Sequence, residues 1–207
     1  MTARGVAAIP PGIEWGVSWR ALRGERESGD LHIVAPLTGG ALVGAVDGLG
    51  HGPSAADAAR IAVEVLHAHA HEPVLRLVEK CHEALRRTRG AVLTLASIDG
   101  AARTITWTAV GNVQGAWFSA NRVRPGREVV NARSGVVGYQ LPPLRAATIP
   151  IATGDTLVFA TDGISEAFIN NMPTDCGPQE AADGILRRFG KDSDDALVLV
   201  VRWLGLS

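Results

Sequence analysis

Several aspartates in this sequence stand where a strand is predicted to begin or end, and carboxylates in such positions can bind metal ions. They are Asp30, Asp47, Asp162, Asp194 and Asp195. If the sheets bring these positions together, the carboxylates would raise each other's pKa and destabilise the fold, and a bound divalent cation would offset that repulsion. Oxygen ligands without histidine or thiol partners favour Mg²⁺ or Mn²⁺ over zinc. Two such ions about 4 Å apart, sharing a carboxylate, would form a centre that hydrolyses phosphate esters.

A glycine-rich segment, Asp-Gly-Leu-Gly-His-Gly, occupies residues 47–52. Because Gly48 has no Cβ, its backbone carbonyl can turn toward an ion held by Asp47. The alternative is that each Asp-Gly pair is an ordinary turn, since aspartate and glycine are both common in turns. One pair alone would favour the turn, whereas the recurrence of acidic residues at four strand ends favours the metal site.

Apolar segments bounded by Gly, Asp or Asn predict the strands that would position these acids. The strands are predicted over residues 13–20, 31–36, 41–46, 91–98, 104–110, 113–119, 146–149, 156–160 and 196–203. Apolar residues at helical spacing predict helices over 53–70, after Pro73, and over 178–189. Strands that follow one another through short turns, with helices inserted in blocks, indicate an α+β fold whose sheets are covered by helices.

Two further segments bear on the organisation of the chain. The pair Asp99-Gly100, between two predicted strands, is typical of a hairpin. Residues 131–143 contain glycines, two prolines and no clear period, which predicts a loop or flap. No internal repeat or linker interrupts the sequence, so we expect a single domain over residues 1–207 with its core at about 13–204.

The composition argues against several classes of function. The 20 Lys and Arg residues nearly balance the 21 Asp and Glu residues, giving a net charge of −1, whereas a nucleic-acid-binding protein needs a basic face. A chain of 207 residues, 46% of them apolar, can build a core without disulfides, and the two cysteines indicate ordinary thiols. No signal peptide is evident, and no segment approaches the ~18 apolar residues of a membrane span. We therefore expect a cytoplasmic protein that binds neither nucleic acid nor membrane.

Five motifs, taken in order, resemble the motif series of the metal-dependent, type-2C-like (PPM) protein phosphatases. They are Glu-Ser-Gly-Asp from Glu27, the glycine-rich segment from Asp47, Val-Gly-Asn-Val from Val110, Thr-Asp-Gly-Ile-Ser-Glu from Thr161 and Asp-Asp-Ala-Leu from Asp194. The closer resemblance is to the SpoIIE-type bacterial branch, and within it to the short single-domain RsbX phosphatases. The sequences Arg-Gly-Ala at 89–91 and Ser-Gly at 134–135 support this, and the series spans about residues 14–203.

The resemblance implies a fold and a reaction. The fold would be a central β-sandwich of two antiparallel sheets, flanked by helices on both faces, with metal ions at one end. Asp47 would bridge two Mn²⁺ or Mg²⁺ ions, and the Gly48 carbonyl would bind the second ion. A hydroxide bridging the ions would attack the phosphorus of a phosphoserine or phosphothreonine in line, and the metals would neutralise the developing charge.

The resemblance also implies the other ligands. Asp162 and Asp194 would hold the first ion, and Asp30 would act directly or through water. Asp195 is the alternative to Asp194, since the two are adjacent and the register of the motif allows either. Asp47 and Asp162 are thus the expected catalytic carboxylates.

The sequence departs from the family pattern at two positions. The better-known eukaryotic members have a histidine two residues after the bridging aspartate, where this chain has Leu49, and here the histidine is His51. We expect His51 either to protonate the leaving serine oxygen or to bond with backbone at a helix start. The second departure is that no arginine falls at the family's phosphate-binding position. Arg26, four residues before Asp30, is the best candidate for binding substrate phosphate, the alternative being a solvated surface charge.

Small single-domain members of the resembled branch remove phosphate from serine or threonine of stressosome or anti-sigma-antagonist proteins of the STAS type. The resemblance therefore implies a phosphorylated STAS-domain or related regulatory protein as substrate and partner. One alternative is a non-catalytic module of the same fold that binds a phosphoprotein, although all the carboxylates are present. Another is a hydrolase of small phosphoesters, and the fold of residues 131–143 would decide between a protein and a small substrate.

Overall fold

The computed structural model describes residues 12–121, 126–173 and 175–206. Along the chain, the strands are β1 (Ile13–Arg20), β2 (Asp30–Leu37), β3 (Gly40–Gly48), β4 (Ala91–Asp99), β5 (Thr104–Val110), β6 (Gln114–Phe118), β7 (Arg127–Val129), β8 (Ala147–Pro150), β9 (Thr156–Ala160) and β10 (Ala196–Trp203). The helices are α1 (Pro53–Ala68), α2 (Val74–Leu85) and α3 (Pro178–Phe189), with a short 3₁₀ helix at Glu166–Asn170.

The strands form two five-stranded sheets in which every neighbouring pair is antiparallel. The first sheet has the order β1-β10-β9-β6-β7, and the second has the order β2-β3-β4-β5-β8. Apolar side chains from the facing sides of both sheets pack into one core, which includes Trp107, Phe159 and Leu199. The sheets therefore form a sandwich.

Helices cover both outer faces of this sandwich. Side chains of α1 and α2, such as Leu66 and Leu77, pack on the second sheet. On the other side, Ile185 of α3 packs on the first sheet beside Val198 and Val200. The predicted α+β sandwich flanked by helices on both faces is confirmed.

The structure extends two predicted strands into the acidic motifs. β2 begins at Asp30 and β3 ends at Gly48, so Asp30 and Asp47 both lie within paired strands of the second sheet. The hairpin predicted at Asp99-Gly100 is confirmed by the antiparallel pairing of β4 with β5. Sequence patterns did not indicate β7, which consists of three exposed residues, or the short 3₁₀ helix.

The loop over residues 131–143 folds back against the second sheet and α2. Val137 is fully buried, and its N–H and carbonyl both bond with the backbone of Ala91 at 2.9 Å. The N–H of Gly138 donates to Nδ1 of His82 at 3.0 Å. The loop is thus a flap with fixed anchors on β4 and α2. None of the helices within the described residues is both long enough and apolar enough to cross a membrane.

Candidate active site

A cleft of about 510 Å³ lies at the end of the sandwich where β3, β5 and β9 end and β10 begins. Asp47, Asp162 and Asp194 line it, each from a different strand end. The flap contributes a wall through residues 134–136, and residues 111–112 contribute another. This volume is within the range of small-ligand sites, so three of the predicted acids share a cleft of suitable size.

The pairing of β2 with β3 brings a fourth acid, Asp30, close to this cleft. Asp30 lies opposite Asp47 in the β2–β3 pair. It is only 4% exposed, and its carboxylate accepts a hydrogen bond of 2.7 Å from the hydroxyl of Thr161. Because Thr161 directly precedes Asp162, this bond ties the acids of the second sheet to the end of β9 in the first.

The proximity of these acids changes their proton affinity. Burial raises the pKa of Asp47 from 3.8 to about 9, and the charges of Asp30, Asp162 and Asp194 add to the shift. Burial also raises the pKa of Asp30 to about 7, although the hydrogen bond from Thr161 opposes this change. The pKa of Asp162 is raised by burial and then by Asp194. The cluster is thus an uncompensated concentration of negative charge that a cation would stabilise.

Gly48 lies where α1 meets the end of β3. A Cβ added to Gly48 would lie 2.1 Å from the carbonyl oxygen of Ala55 in the first turns of α1, so only glycine fits. From the sequence, we expected glycine at position 48 for a different reason, namely that its carbonyl could turn toward a bound ion. A Cβ on Gly29 would lie 3.2 Å from both the Gly48 carbonyl oxygen and a carboxylate oxygen of Asp195, so this region is tightly packed. Ion binding by the Gly48 carbonyl stays a prediction.

The adjacent Asp194 and Asp195 have different surroundings. Asp195 is 3% exposed, and its two carboxylate oxygens accept the N–H groups of Leu22 at 2.6 Å and Gly29 at 2.7 Å. Both oxygens therefore have protein donors already, and the residue does not line the cleft as Asp194 does. Asp195 thereby fixes the loop between β1 and β2, and Asp194, which lines the cleft, is the candidate ligand. Metal binding by Asp195, the alternative from the sequence, stays a prediction.

Arg26 does not line the acidic cleft. Its exposed side chain lines a groove with Trp19, His32 and Asp30, and phosphate binding by Arg26 stays a prediction. The side chain of Arg89 reaches the edge of the cleft, because a Cβ on Gly50, which lines the cleft, would be 2.8 Å from Nη1 of Arg89. The loop that carries Arg26 has no periodic pattern from which the direction of its side chain could be predicted.

His51 lies at the rim of the cleft with its side chain 58% exposed. Its Nδ1 is 2.8 Å from Oε1 of Glu25. Sequence reasoning offered a backbone bond as the alternative to a catalytic role, and it missed Glu25 altogether. No motif marks Glu25, which lies in the irregular loop between β1 and β2.

Two polar side chains hold Asp162. The Asn112 amide donates to its carboxylate at 2.8 Å, and Nζ of Lys191 donates to its backbone carbonyl at 2.7 Å. Among the described residues, no three Asp, Glu, His or Cys side chains converge closely enough to enclose an ion as they stand. Asp30 and Asp162 instead direct carboxylate oxygens toward Thr161 and Asn112.

Sequence comparisons identify a family and a curated relative. A family model described as Stage II sporulation protein E (SpoIIE) matches residues 38–204. The phosphoserine phosphatase RsbX of Bacillus subtilis (strain 168) is 25% identical over 165 residues, which cover 75% of this chain and 76% of that protein.

Comparisons with solved structures agree. A structure from work on the bacterial stressosome, described there as a modular system adapted to control secondary messenger signalling, has a TM-score of 0.85 and 31% identity. The match covers 92% of this chain and 99% of the other. A crystal structure of RsbX in complex with magnesium has a TM-score of 0.82 at 21% identity, covering 92% and 95% of the two chains. At that identity, the second match shows the fold.

Proposed function

The chain belongs to the SpoIIE family of metal-dependent serine/threonine protein phosphatases, and we propose that the acidic cleft is the site at which it hydrolyses phosphoserine or phosphothreonine. The observation that carries this proposal is the convergence of Asp47, Asp162 and Asp194 from separate strand ends into one cleft. The raised pKa values of Asp47 and Asp162 indicate a site that is stabilised by positive charge.

The residues present fit divalent cations. The donors are carboxylates, as Mg²⁺ and Mn²⁺ prefer, and burial, followed by repulsion from neighbouring carboxylates, raises the pKa of Asp30 and Asp47. We propose that Asp47 is shared by two ions, with Asp162 and Asp194 at the first and the Gly48 carbonyl at the second. When bound, the ions activate water for attack and neutralise negative charge on the phosphate.

Other side chains of the protein would orient the acidic carboxylates and donate a proton to the leaving serine. Thr161 and Asn112 hold Asp30 and Asp162 through hydrogen bonds of 2.7 and 2.8 Å, which limits rotation of both carboxylates. The flap forms the wall that excludes water from one side of the substrate. His51 is the group at the rim able to give a proton to the serine oxygen as the phosphorus–oxygen bond breaks.

The relatives support a regulatory phosphoprotein as the substrate. One is named a phosphoserine phosphatase, and another was solved in work on the bacterial stressosome. We propose a phosphorylated STAS-domain or related regulatory protein as the partner, met in the cytoplasm. The non-catalytic alternative is disfavoured because every acid of the motif series is present and three of them share the cleft.

The first test measures phosphate release from a phosphorylated STAS-domain protein with Mn²⁺ or Mg²⁺. We expect Asp47→Asn and Asp162→Asn each to lower the rate by at least about 100-fold, because each removes charge from the centre that stabilises the transition state. Asp57→Asn is the matched control, since Asp57 is an exposed residue of α1 that pairs with Arg60. Full activity of both cleft variants would contradict the proposal.

A second measurement separates a protein substrate from a small phosphoester. The phosphorylated STAS-domain protein and p-nitrophenyl phosphate compete for the enzyme at equal metal concentration. We expect the protein to have the higher kcat/KM, because it can contact the flap as well as the acids. A higher kcat/KM for the small ester would favour the hydrolase of small phosphoesters instead.

A further inference from the structure

Glu25 and His51 form a carboxylate–imidazole pair at the rim of the cleft. Oε1 of Glu25 lies 2.8 Å from Nδ1 of His51. The Glu25 side chain is 28% exposed, about half as exposed as that of His51. The pair therefore presents the imidazole outward into the cleft and keeps the carboxylate behind it.

Hydrogen bonds and packing hold the loop that carries Glu25 in place. Asp195 accepts the N–H of Leu22 at 2.6 Å, and the Leu22 carbonyl in turn accepts the N–H of Glu25 at 2.9 Å. The carboxylate packs over Gly52, where a Cβ would lie 2.9 Å from Oε2 of Glu25. Gly52 also has a φ of 73°, which favours glycine. Glu25 is thus fixed at the start of α1.

This geometry determines which imidazole nitrogen faces the substrate. An ionised carboxylate can only accept hydrogen bonds, so the hydrogen between the two side chains belongs to Nδ1 of His51. Nε2 is then the nitrogen that remains for the cleft. A carboxylate that holds a histidine in this way fixes both its tautomer and its ring orientation.

We infer that Glu25 is a positioning residue, which orients His51 so that Nε2 donates the proton to the departing serine oxygen. This inference rests on the proposed function. The phosphorus–oxygen bond to serine breaks, its electron pair stays on the serine oxygen, and that oxygen takes the proton from the His51 imidazolium. The phosphate gains its new oxygen from water, and the neutral imidazole regains a proton from solvent.

The leaving group provides the test. A serine alkoxide is too basic to leave without a proton, whereas p-nitrophenolate is a stable anion that needs none. Loss of the proton donor should therefore slow the hydrolysis of a phosphoserine peptide and leave the hydrolysis of p-nitrophenyl phosphate unchanged. Misplacement of the metal ligands would slow both substrates.

The experiment compares Glu25→Ala, Glu25→Gln and His51→Gln in the full chain with Mn²⁺. We expect Glu25→Ala to lower kcat for the phosphoserine peptide by about 10- to 100-fold with little change in KM. For p-nitrophenyl phosphate, kcat should stay within about twofold. Glu25→Gln keeps an oxygen acceptor for Nδ1 and should recover most of the loss. The double variant Glu25→Ala/His51→Gln should have the same kcat for the phosphoserine peptide as His51→Gln alone.

Glu27→Gln is the matched control, because Glu27 lies in the same loop but faces Arg60 at 3.6 Å. Equal losses of kcat for both substrates, or a Glu25→Gln variant as slow as Glu25→Ala, would overturn the positioning role. Failure of the proposed function has another signature. In that case, the wild-type chain would not hydrolyse the phosphoserine peptide, or Asp47→Asn would retain activity on both substrates.

Discussion

Two arginines near the site differ in where their guanidinium groups lie. Arg89 approaches Gly50 at the rim of the cleft, whereas Arg26 lines the groove beside Trp19. None of the described residues that line the cleft is a lysine or an arginine. Arg89, which contacts the space above Gly50, is therefore our candidate for binding a phosphate dianion in the cleft.

We expect Arg89→Gln to raise KM for a phosphoserine peptide by about tenfold, because it removes a charge-assisted hydrogen bond to phosphate. Arg26→Gln should leave KM within about twofold, since its side chain lies outside the cleft. Steady-state kinetics of both variants, at saturating Mn²⁺, provide the measurement. A larger effect of Arg26→Gln would restore Arg26 as the phosphate-binding residue.

Single residues also show where sequence reasoning succeeds. Asp47 and Asp162 could be placed because each follows a strand that its apolar pattern defines, and strand ends meet at the end of a sandwich. Glu25 and Arg26 are neighbours in an irregular loop, and nothing in the sequence gives the direction of either side chain. Sequence reasoning chose Arg26, whereas the structure brings Glu25 to the site.

At the start of β10, adjacent aspartates perform different tasks because neighbouring residues of an extended chain point to opposite sides. Asp195 points inward and binds two N–H groups of the β1–β2 loop. We expect Asp195→Ala to lower the free energy of unfolding by about 2 to 4 kcal/mol, since the buried N–H of Gly29 and the partly buried N–H of Leu22 would both lose a charged acceptor. Urea unfolding of the metal-free protein measures this effect.

The same experiment separates Asp194 from Asp195. Asp194→Ala should leave the stability of the metal-free protein within about 1 kcal/mol and abolish metal-dependent activity. Asp192→Ala is the control for the segment, because Asp192 is exposed and forms an ion pair with Arg20 at the surface. A stable Asp195→Ala variant that lacks only metal binding would instead make Asp195 the ligand.

Whole elements were predicted more reliably than their ends. Apolar segments bounded by Gly, Asp or Asn indicated the positions of the predicted strands, because these strands bury apolar side chains in the cores that pack on the sheets. β7 could not be predicted because its three residues are exposed and lack an apolar pattern. The packing of α1 on Gly48 also depends on a contact between two elements, which no local pattern records.

The charge of the whole cluster makes the stability of the protein depend on pH. Burial raises the pKa of Asp30 to about 7 and that of Asp47 to about 9, both from 3.8. Between about pH 4 and 9, these two carboxyl groups therefore bind more protons in the folded protein than in the unfolded chain. Their contribution to the free energy of unfolding must then fall as the pH rises across this window.

We expect the Tm of the protein in chelator to decrease steadily from pH 5 to pH 9, and saturating Mn²⁺ to weaken or reverse that decrease. The reason is that a cation binds the ionised carboxylates, which the folded protein otherwise disfavours. Asp47→Asn should flatten the profile in chelator. A Tm independent of pH in chelator would contradict the raised pKa values.

The position of β10 also bears on how the protein is made. Among the described strands it comes last along the chain, yet it lies between β1 and β9 and follows directly after Asp194 and Asp195. The ribosome must therefore release residues 196–203 before the first sheet can close around them. Until then, Asp194 is missing from the cleft beside Asp162, and the β1–β2 loop lacks the anchor that Asp195 provides. We therefore expect phosphatase activity to begin only when this strand has been inserted during synthesis.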